Sequence, residues 1–414
     1  MDAAQAQTDF NVAALAQVAP ALRGIIDQGG LSGAVTLVWR KGDVVQAHAI
    51  GQRDLEGGLP MERDTLFRIA SMTKPVTSIA VMMLIEDRKL NLDDPVTRWL
   101  PELANMTVLK DPAGPVDATV PALRDMTVED LLTHRSGLAY GFTSMGPIAY
   151  AHEEKLGNAL ANPHTPDTWL KALGELPLSY QPGERFHYSH ATDVLGFLVA
   201  RIEGKPIGEV LQARIFGPLG MVDTSFWVPP EKRARMAKLY QAPPEGALKD
   251  VSFPHTPTPP AFEGGGGGLV STADDYLKFA RMMLGGGEVD GVRLVKPETI
   301  DLMAGNRLTD EQRGHGFMGM PFWLSQGFGL GLSMILDAEK HQWMGAGAYG
   351  SYGWPGAFGT WWQADPANDM ILIYLIQDSM PLGPEAVTAM QGQRPTGRIG
   401  GPMFQKIVYS ALGG

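Results

Sequence analysis

Residues 65–85, TLFRIASMTKPVTSIAVMMLI, contain the transition that decides the fold of this chain. Residues 65–69 favour a short strand, and a polar turn around Ser71 and Lys74 follows it. The rest predicts an α-helix, because apolar residues recur at helical spacing at Val76, Ile79, Ala80, Met83 and Leu84. Since the positions between them are also apolar, we expect this helix to lie buried in the core.

Ser71 and Lys74 are the first candidates for chemistry. Residues three apart at a helix start share one face, so the Lys74 amine can reach the Ser71 hydroxyl. A serine hydroxyl becomes a nucleophile when an adjacent base removes its proton, and burial disfavours the ammonium form of a lysine. A helix N-terminus also offers free N–H groups to an oxyanion. The alternative interpretation is an N-cap serine beside a solvated lysine, since this four-residue pattern often occurs by chance.

Strand patterns lie near both ends of the chain. Ala34–Arg40 and Val44–Ile50 flank Lys41-Gly42-Asp43, which predicts a β-hairpin. Thr360–Gln363 and Met370–Ile376 form a second pair around a turn. The segments between are mostly helical, with long loops expected over Ala139–Asp167 and Gln241–Gly268 and a leading helix over Asn11–Asp27. The sequence therefore predicts an α/β (α+β) fold, with one sheet built from both ends and an insertion between them.

Composition excludes several functional classes. The 414 residues carry 34 Lys and Arg against 45 Asp and Glu, a net charge of −11, which argues against a nucleic-acid partner. There is no cysteine, so disulfides and a cysteine nucleophile are excluded. No apolar run approaches the roughly 18 residues of a membrane span, and the N-terminus lacks the pattern of a signal peptide. We therefore expect a cytoplasmic protein, although a removed signal peptide would leave no trace. No ligand spacing suggests a metal.

Seven collinear stretches resemble the serine β-lactamase and penicillin-binding-protein superfamily, above all the class C β-lactamase-like branch with its family VIII carboxylesterases. The resemblance covers nearly the whole chain, in DTLFRIASMTKP (64–75), LNLDDPVTRWL (90–100), TVEDLLTHRSGL (127–138), PGERFHYS (182–189), PLGMVDT (218–224), GGGGGLVSTADDY (264–276) and WPGAFGTWWQADP (354–366).

This resemblance implies an antiparallel sheet flanked by helices, with the active site beside an inserted domain. Residues 1–95 and 265–414 would form the discontinuous α/β domain, and 96–264 the mainly helical insertion. It also implies that Ser71 is the acylated nucleophile and Lys74 its proton acceptor.

Two further family elements are matched with departures. The Y-x-N element is Tyr188-Ser189-His190, where Tyr188 is implied as base and acid, and His190 replaces the asparagine that contacts substrate. The K-T-G element, on an edge strand in the family, is Trp354-Pro355-Gly356. Because tryptophan supplies no cation for a carboxylate, neutral esters should fit better than β-lactams. Gly356 permits close backbone approach.

By resemblance, the backbone N–H groups of Ser71 and Ala357 form the oxyanion hole. Plain packing remains the alternative for Tyr188 and Trp354. His134 is expected to be a structural hydrogen bonder. His187 and His190 can tune Tyr188, and Trp354, Gly356 and His190 are the candidates for substrate contact. The aromatic stretches Tyr140–Tyr150 and Phe317–Trp323 can line an acyl pocket or simply pack in the core.

The sequence thus predicts a carboxylesterase without a cofactor, acting on small neutral esters with possible weak β-lactam hydrolysis. A β-lactamase, D-amino-acid peptidase or acyltransferase on the same scaffold is the close alternative. A non-catalytic binding relative is the alternative from another class. Natural substrate and oligomeric state are not readable from the sequence.

Overall fold

The computed structural model describes residues 11–157, 162–243, 246–317, 320–380 and 397–412. Its centre is one eight-stranded antiparallel sheet. In order across the sheet, the strands are Gln326–Phe328, Ser333–Ile335, Tyr352–Gly353, Trp361–Asp365, Met370–Leu375, Gly33–Arg40, Asp43–Asp54 and Leu59–Pro60.

The two ends of the chain meet in the middle of this sheet. The strand Gly33–Arg40 pairs with Met370–Leu375, in a register that runs from Val35 opposite Leu375 to Arg40 opposite Met370. It also pairs with Asp43–Asp54, which confirms the predicted hairpin. All residues of Met370–Leu375 are buried, because helices cover both faces of the sheet at this strand. The predicted fold class is confirmed.

Short two-stranded ladders lie outside the main sheet. They join Phe67–Arg68 to Val270–Ser271, Thr107–Leu109 to Thr119–Pro121, Tyr240–Gln241 to Lys249–Asp250, and Glu288–Val289 to Val292–Arg293.

The helices flank the sheet and fill the middle of the sequence. In chain order, the α-helices are Val12–Leu15, Val18–Asp27, Thr73–Glu86, Val128–Leu132, Pro147–Leu156, Pro166–Gly174, Ala191–Glu203, Ile207–Leu211, Gly217–Leu219, Ala273–Leu284, Pro297–Ala304, Asp310–Gly314, Ala338–His341 and Gly400–Ser410.

Two local predictions were wrong. The leading helix is divided into Val12–Leu15 and Val18–Asp27 by a turn at residues 16 and 17. The expected loop over 139–167 contains the helix Pro147–Leu156, which begins with a proline in its first turn and buries Ile148 and Leu156. Proline is compatible with a first helical turn because its missing N–H would have no helical partner there.

One face of the sheet carries the helices that position the candidate site. Ala273–Leu284 packs on it, and its start is capped by Thr272, whose hydroxyl accepts a hydrogen bond from the amide of Asp275. Thr73–Glu86 lies in the same hydrophobic cluster and is buried along nearly its whole length, as predicted. The opposite face is covered by Val18–Asp27 and Gly400–Ser410.

The helix Ala191–Glu203 links the middle of the sequence to this core. It packs against Thr73–Glu86 and ends at Gly204, whose φ of 66° is the left-handed conformation that glycine adopts readily. One hydrophobic cluster runs through both segments. The division into residues 1–95 with 265–414 and an insertion over 96–264 stays a prediction.

Trp354 does not follow an edge strand. The strand Tyr352–Gly353 pairs with Ser333–Ile335 on one side and Trp361–Asp365 on the other, so it lies inside the sheet. Its ladder ends at Gly353, and the chain leaves the sheet at Trp354. Across the described ranges, no helix is both long and apolar enough to cross a membrane.

Candidate active site

Ser71 lies in a tight turn between a strand and the buried helix. Residues Ala70–Met72 form a single 3-10 turn that continues directly into Thr73–Glu86. Ala70 has a φ of 44°, a conformation that costs a non-glycine residue on the order of 1–2 kcal/mol. Such strain persists only where surrounding packing enforces it, and it concentrates at functional sites.

The structure brings Ser71, Lys74 and Tyr188 together. The Oγ of Ser71 lies 3.3 Å from Lys74 Nζ and 2.7 Å from the hydroxyl of Tyr188. Lys74 is fully buried and Tyr188 nearly so. A single hydroxyl is thus flanked by an amine and a phenol, which is the arrangement required to move a proton away from a nucleophile.

Two groups besides Ser71 hold the Lys74 amine. It donates to the carbonyl of Gly266 at 2.7 Å and to the hydroxyl of Tyr140 at 3.2 Å. It also lies 4.6 Å from the ring centre of Tyr188, within the range of a cation–π contact. The glycine-rich stretch 264–268 therefore has a role that its composition did not reveal, because the Gly266 carbonyl fixes the amine.

Tyr140 is the site residue that the sequence did not single out. Burial, followed by the charge of Asp193 and by Tyr188, raises the pKa of Tyr140 well above its usual value, so its hydroxyl stays protonated. It was recognised only as one end of an aromatic stretch. No spacing relation connects it to Lys74, from which it is 66 residues distant in sequence.

His190 packs against Tyr140 and pairs with Asp193. Its Nδ1 is 3.1 Å from Asp193 Oδ2, and its ring centre is 4.2 Å from that of Tyr140. Asp193 also accepts the amide N–H of Gly266 at 2.8 Å. Burial alone would raise the pKa of Asp193, but the hydrogen bond to His190 and the nearby Lys74 charge outweigh it and lower that pKa. Direct contact between His190 and substrate stays a prediction.

Trp354 contacts the candidate base directly. Its indole Nε1 donates to the hydroxyl of Tyr188 at 3.2 Å, and its side chain is buried. Trp354 and Tyr188 belong to one aromatic cluster that continues outward through partly exposed Phe142, Phe317 and Phe322. The two aromatic stretches noted in the sequence therefore meet around the site.

Gly356 lies against the residues that precede the nucleophile. A Cβ atom at this position would be 2.4 Å from the carbonyl oxygen of Ile69 and 2.1 Å from Thr360 Oγ1, so only glycine fits. Thr360 Oγ1 donates to that same Ile69 carbonyl at 3.1 Å. Ala357 packs in one small cluster with Ala70. The turn that carries Ala357 is thus adjacent to the turn that carries Ser71.

The other histidines lie around this centre. His134 is buried, with Nδ1 3.2 Å from Ser189 Oγ and its ring 4.7 Å from that of Tyr188. Burial, then the Lys74 and His187 charges, lower the pKa of His134 well below its usual range, so it stays neutral. No group of three or more His, Asp or Glu side chains suited to a metal occurs within the described residues.

Comparison with known proteins gives concordant matches. Residues 15–393 match the Beta-lactamase family. Protein Rv1367c of Mycobacterium tuberculosis is 51% identical over 396 residues, spanning 95% of this chain and 98% of the relative. Esterase EstB of Burkholderia gladioli is 33% identical and covers 87% of this chain and 90% of its own length.

A solved structure shares the fold over almost the full length. EstCE1, a hydrolase with promiscuous acyltransferase activity, superposes with a TM-score of 0.78 at 26% sequence identity, covering 96% of this chain and 98% of that one.

Proposed function

This chain belongs to the Beta-lactamase family and has esterase relatives, and from that premise we propose that it is a carboxylesterase that forms an acyl-enzyme on Ser71. One observation supports the proposal above all others: Ser71 Oγ lies within hydrogen-bonding distance of both Lys74 Nζ and the Tyr188 hydroxyl. The substrate class is a small neutral ester.

The proposed acylation uses Lys74 and Tyr188 to deprotonate Ser71. The proton of Ser71 passes to this Lys74–Tyr188 pair as Oγ attacks the ester carbonyl carbon. Lys74 Nζ lies 4.6 Å from the ring centre of Tyr188, and the Trp354 indole N–H donates to the Tyr188 hydroxyl, so these two groups fix the position of the phenol beside Ser71. When the tetrahedral intermediate collapses, Tyr188 returns the proton to the leaving alcohol. Water then attacks the acyl-Ser71 ester by the reverse sequence of proton transfers and releases the acid.

The proposed oxyanion hole consists of the N–H groups of Ser71 and Ala357. Support comes from the proximity of their two turns, which Gly356 and Thr360 bring against Ile69. Donors that are already in place where negative charge develops typically accelerate acyl transfer by about 100- to 1000-fold each.

The preference for neutral esters rests on Trp354. The position that holds a lysine in the K-T-G element is occupied by an uncharged, buried indole whose only N–H donates to Tyr188. A substrate carboxylate would therefore lose hydration there without gaining a cation.

Replacement of the nucleophile tests the proposal. Ser71→Ala should lower kcat on p-nitrophenyl butyrate at least about 1000-fold, because no acyl-enzyme can form. Ser78→Ala is the matched control, since Ser78 is a buried serine on the same helix and should leave kcat within about twofold. Intact-mass spectrometry should detect acylation of the unmodified chain and none of Ser71→Ala. Hydrolysis that survives Ser71→Ala would contradict the mechanism.

Four alternatives are distinguished by what the protein acylates or binds. A higher rate on nitrocefin than on butyrate esters would favour a β-lactamase, and release of D-amino acids from peptides would favour a peptidase. Acyl transfer is supported by the similarity to EstCE1. It predicts that added butanol diverts the acyl group from acid to butyl ester. A binding relative without catalysis would fail to label with a fluorophosphonate.

A further inference from the structure

The turn that carries Ala357 is attached on one side to Ile69, two residues before Ser71. The amide of Gly356 donates to the Thr360 carbonyl at 2.7 Å, which closes the turn. The Thr360 hydroxyl and the close approach of Gly356 then tie it to the Ile69 carbonyl. The Gly356 carbonyl also accepts the amide N–H of Gly359 at 3.0 Å, which fixes the peptide group that precedes the Ala357 Cα atom.

The opposite side of the turn is attached to the C-terminal segment. Arg398, 41 residues further along the chain, donates through Nη2 to the carbonyl oxygen of Ala357 and, at 2.9 Å, to that of Asp378. Asp378 in turn donates its amide N–H to the Phe358 carbonyl at 3.0 Å. One guanidinium group thus links the turn to the end of the strand Met370–Leu375.

The Asp378 carboxylate provides the countercharge. Its Oδ2 lies 3.7 Å from Arg398 Nε, and its side chain is buried. Burial raises the pKa of Asp378 to about 6, whereas the Arg398 charge acts in the opposite direction. Above that pH the carboxylate is charged and holds the guanidinium in place.

We propose that Arg398 is a positioning residue for the oxyanion hole, because its bond to the Ala357 carbonyl fixes the peptide group on the far side of the Ala357 Cα. This inference rests on the proposed function. With both flanking peptide groups held, the Ala357 N–H keeps one direction, as an oxyanion donor requires. Arg398 touches no reacting atom and acts through Ala357.

The test compares Arg398→Met with Arg398→Lys. Methionine fills similar space without a donor, and lysine restores one donor and the charge. We expect Arg398→Met to lower kcat about 10- to 100-fold with KM within about twofold, a loss smaller than that of deleting a donor. Arg398→Lys should recover part of the loss.

Inhibition by a boronic acid distinguishes a loss of positioning in the oxyanion hole from a general loss of structure. Phenylboronic acid forms a tetrahedral adduct with an active-site serine, so its oxygens sample the oxyanion hole. In Arg398→Met its inhibition constant should rise by about the same factor as kcat/KM falls. Arg201→Met is the matched control, since Arg201 likewise donates to a backbone carbonyl, that of Trp99, and pairs with Glu102. It should leave both constants within about twofold.

The outcomes are distinct. The inference is wrong if Arg398→Met keeps the kcat of the unmodified chain. It is also wrong if this variant loses stability while its kcat and its affinity for the boronic acid, both expressed per active site, stay unchanged. Should this variant fail to fold, Asp378→Asn decides: kcat should fall a few-fold with KM unchanged, and an unchanged kcat would overturn the inference. Ser71→Ala is assayed alongside, because hydrolysis that persists there contradicts the proposed function itself.

Discussion

At the scale of single residues, Trp354 has a more specific role than its neutrality suggested. The sequence predicts only that an indole cannot neutralise a carboxylate. The structure adds a hydrogen bond from that indole to Tyr188, the proposed base. We therefore propose that this one side chain both limits the substrate class and positions Tyr188.

Trp354→Phe tests the hydrogen bond without removing the aromatic ring. We expect kcat on butyrate esters to fall about 3- to 10-fold with little change in KM, as for the loss of one ordinary hydrogen bond. Steady-state kinetics measures this. Trp362→Phe is the control, because the Trp362 indole is buried and its N–H has no partner among the described residues. Equal losses in both variants would mean that packing explains the effect.

The contact between Tyr140 and Lys74 is one that local sequence patterns do not predict. Ser71 and Lys74 were identified because they are three residues apart, and Tyr188 because it matched a family element. Tyr140 reaches Lys74 only through the folding of a remote segment, and no sequence period encodes that contact. The same holds for Gly266, whose carbonyl binds the amine.

At the scale of elements, the turn after Tyr352–Gly353 depends on backbone proximity that a side chain would prevent. Gly356→Ala places a methyl group 2.4 Å from the Ile69 carbonyl and 2.1 Å from Thr360 Oγ1, so the two turns must separate. We expect lower stability, by about 1–3 kcal/mol for an overpacked site, and a larger loss of kcat than of KM. Urea unfolding and kinetics measure the two effects.

Gly24→Ala is the control, and it should change the stability of the protein in the opposite direction. Gly24 lies inside the helix Val18–Asp27, and a Cβ there meets nothing within 4 Å. Alanine should raise stability by about 0.5–1 kcal/mol, because glycine loses more conformational entropy in a helix. A Gly356→Ala protein as stable and active as Gly24→Ala would show that the turn tolerates a side chain.

Helices and strands are predictable from the sequence where their apolar residues follow a regular pattern. The buried helix Thr73–Glu86 is apolar on every face, and the strand Met370–Leu375 is a short apolar run, so both were recognised. The helix Pro147–Leu156 mixes small, charged and apolar residues without a clear apolar stripe, so its sequence predicts a loop. Its fold depends on packing that local sequence does not display.

At the scale of the whole molecule, acid should destabilise the protein through buried neutral histidines. Burial lowers the pKa of His341 from 6.5 to about 4, and acts similarly on His152 and His187. Since the unfolded chain binds protons that the folded chain excludes, the contribution of these histidines to stability is fully present above pH 6.5. It falls as pH decreases toward 4, by up to about 1.4 kcal/mol per pH unit for each group.

His341→Gln should reduce this pH dependence. Its free energy of unfolding, measured with urea between pH 7 and 5, should fall less steeply than that of the unmodified chain, by about 1 kcal/mol per pH unit. Ser325→Ala removes the hydrogen-bond partner of His341 but keeps the ring, so its slope should stay unchanged. Identical slopes for His341→Gln and the unmodified chain would contradict the assignment.

The sequence alone determined the fold class, the family, the meeting of both chain ends in one sheet, and the candidates Ser71, Lys74 and Tyr188. These follow from periodicity and from collinear motifs, which are local properties of a chain. Only the tertiary structure decided that Tyr140 and Gly266 hold the Lys74 amine, that Trp354 binds Tyr188, and that Arg398 reaches the Ala357 carbonyl. The physical reason is that each of these contacts joins segments far apart in sequence, and their distances and directions arise only when the core packs.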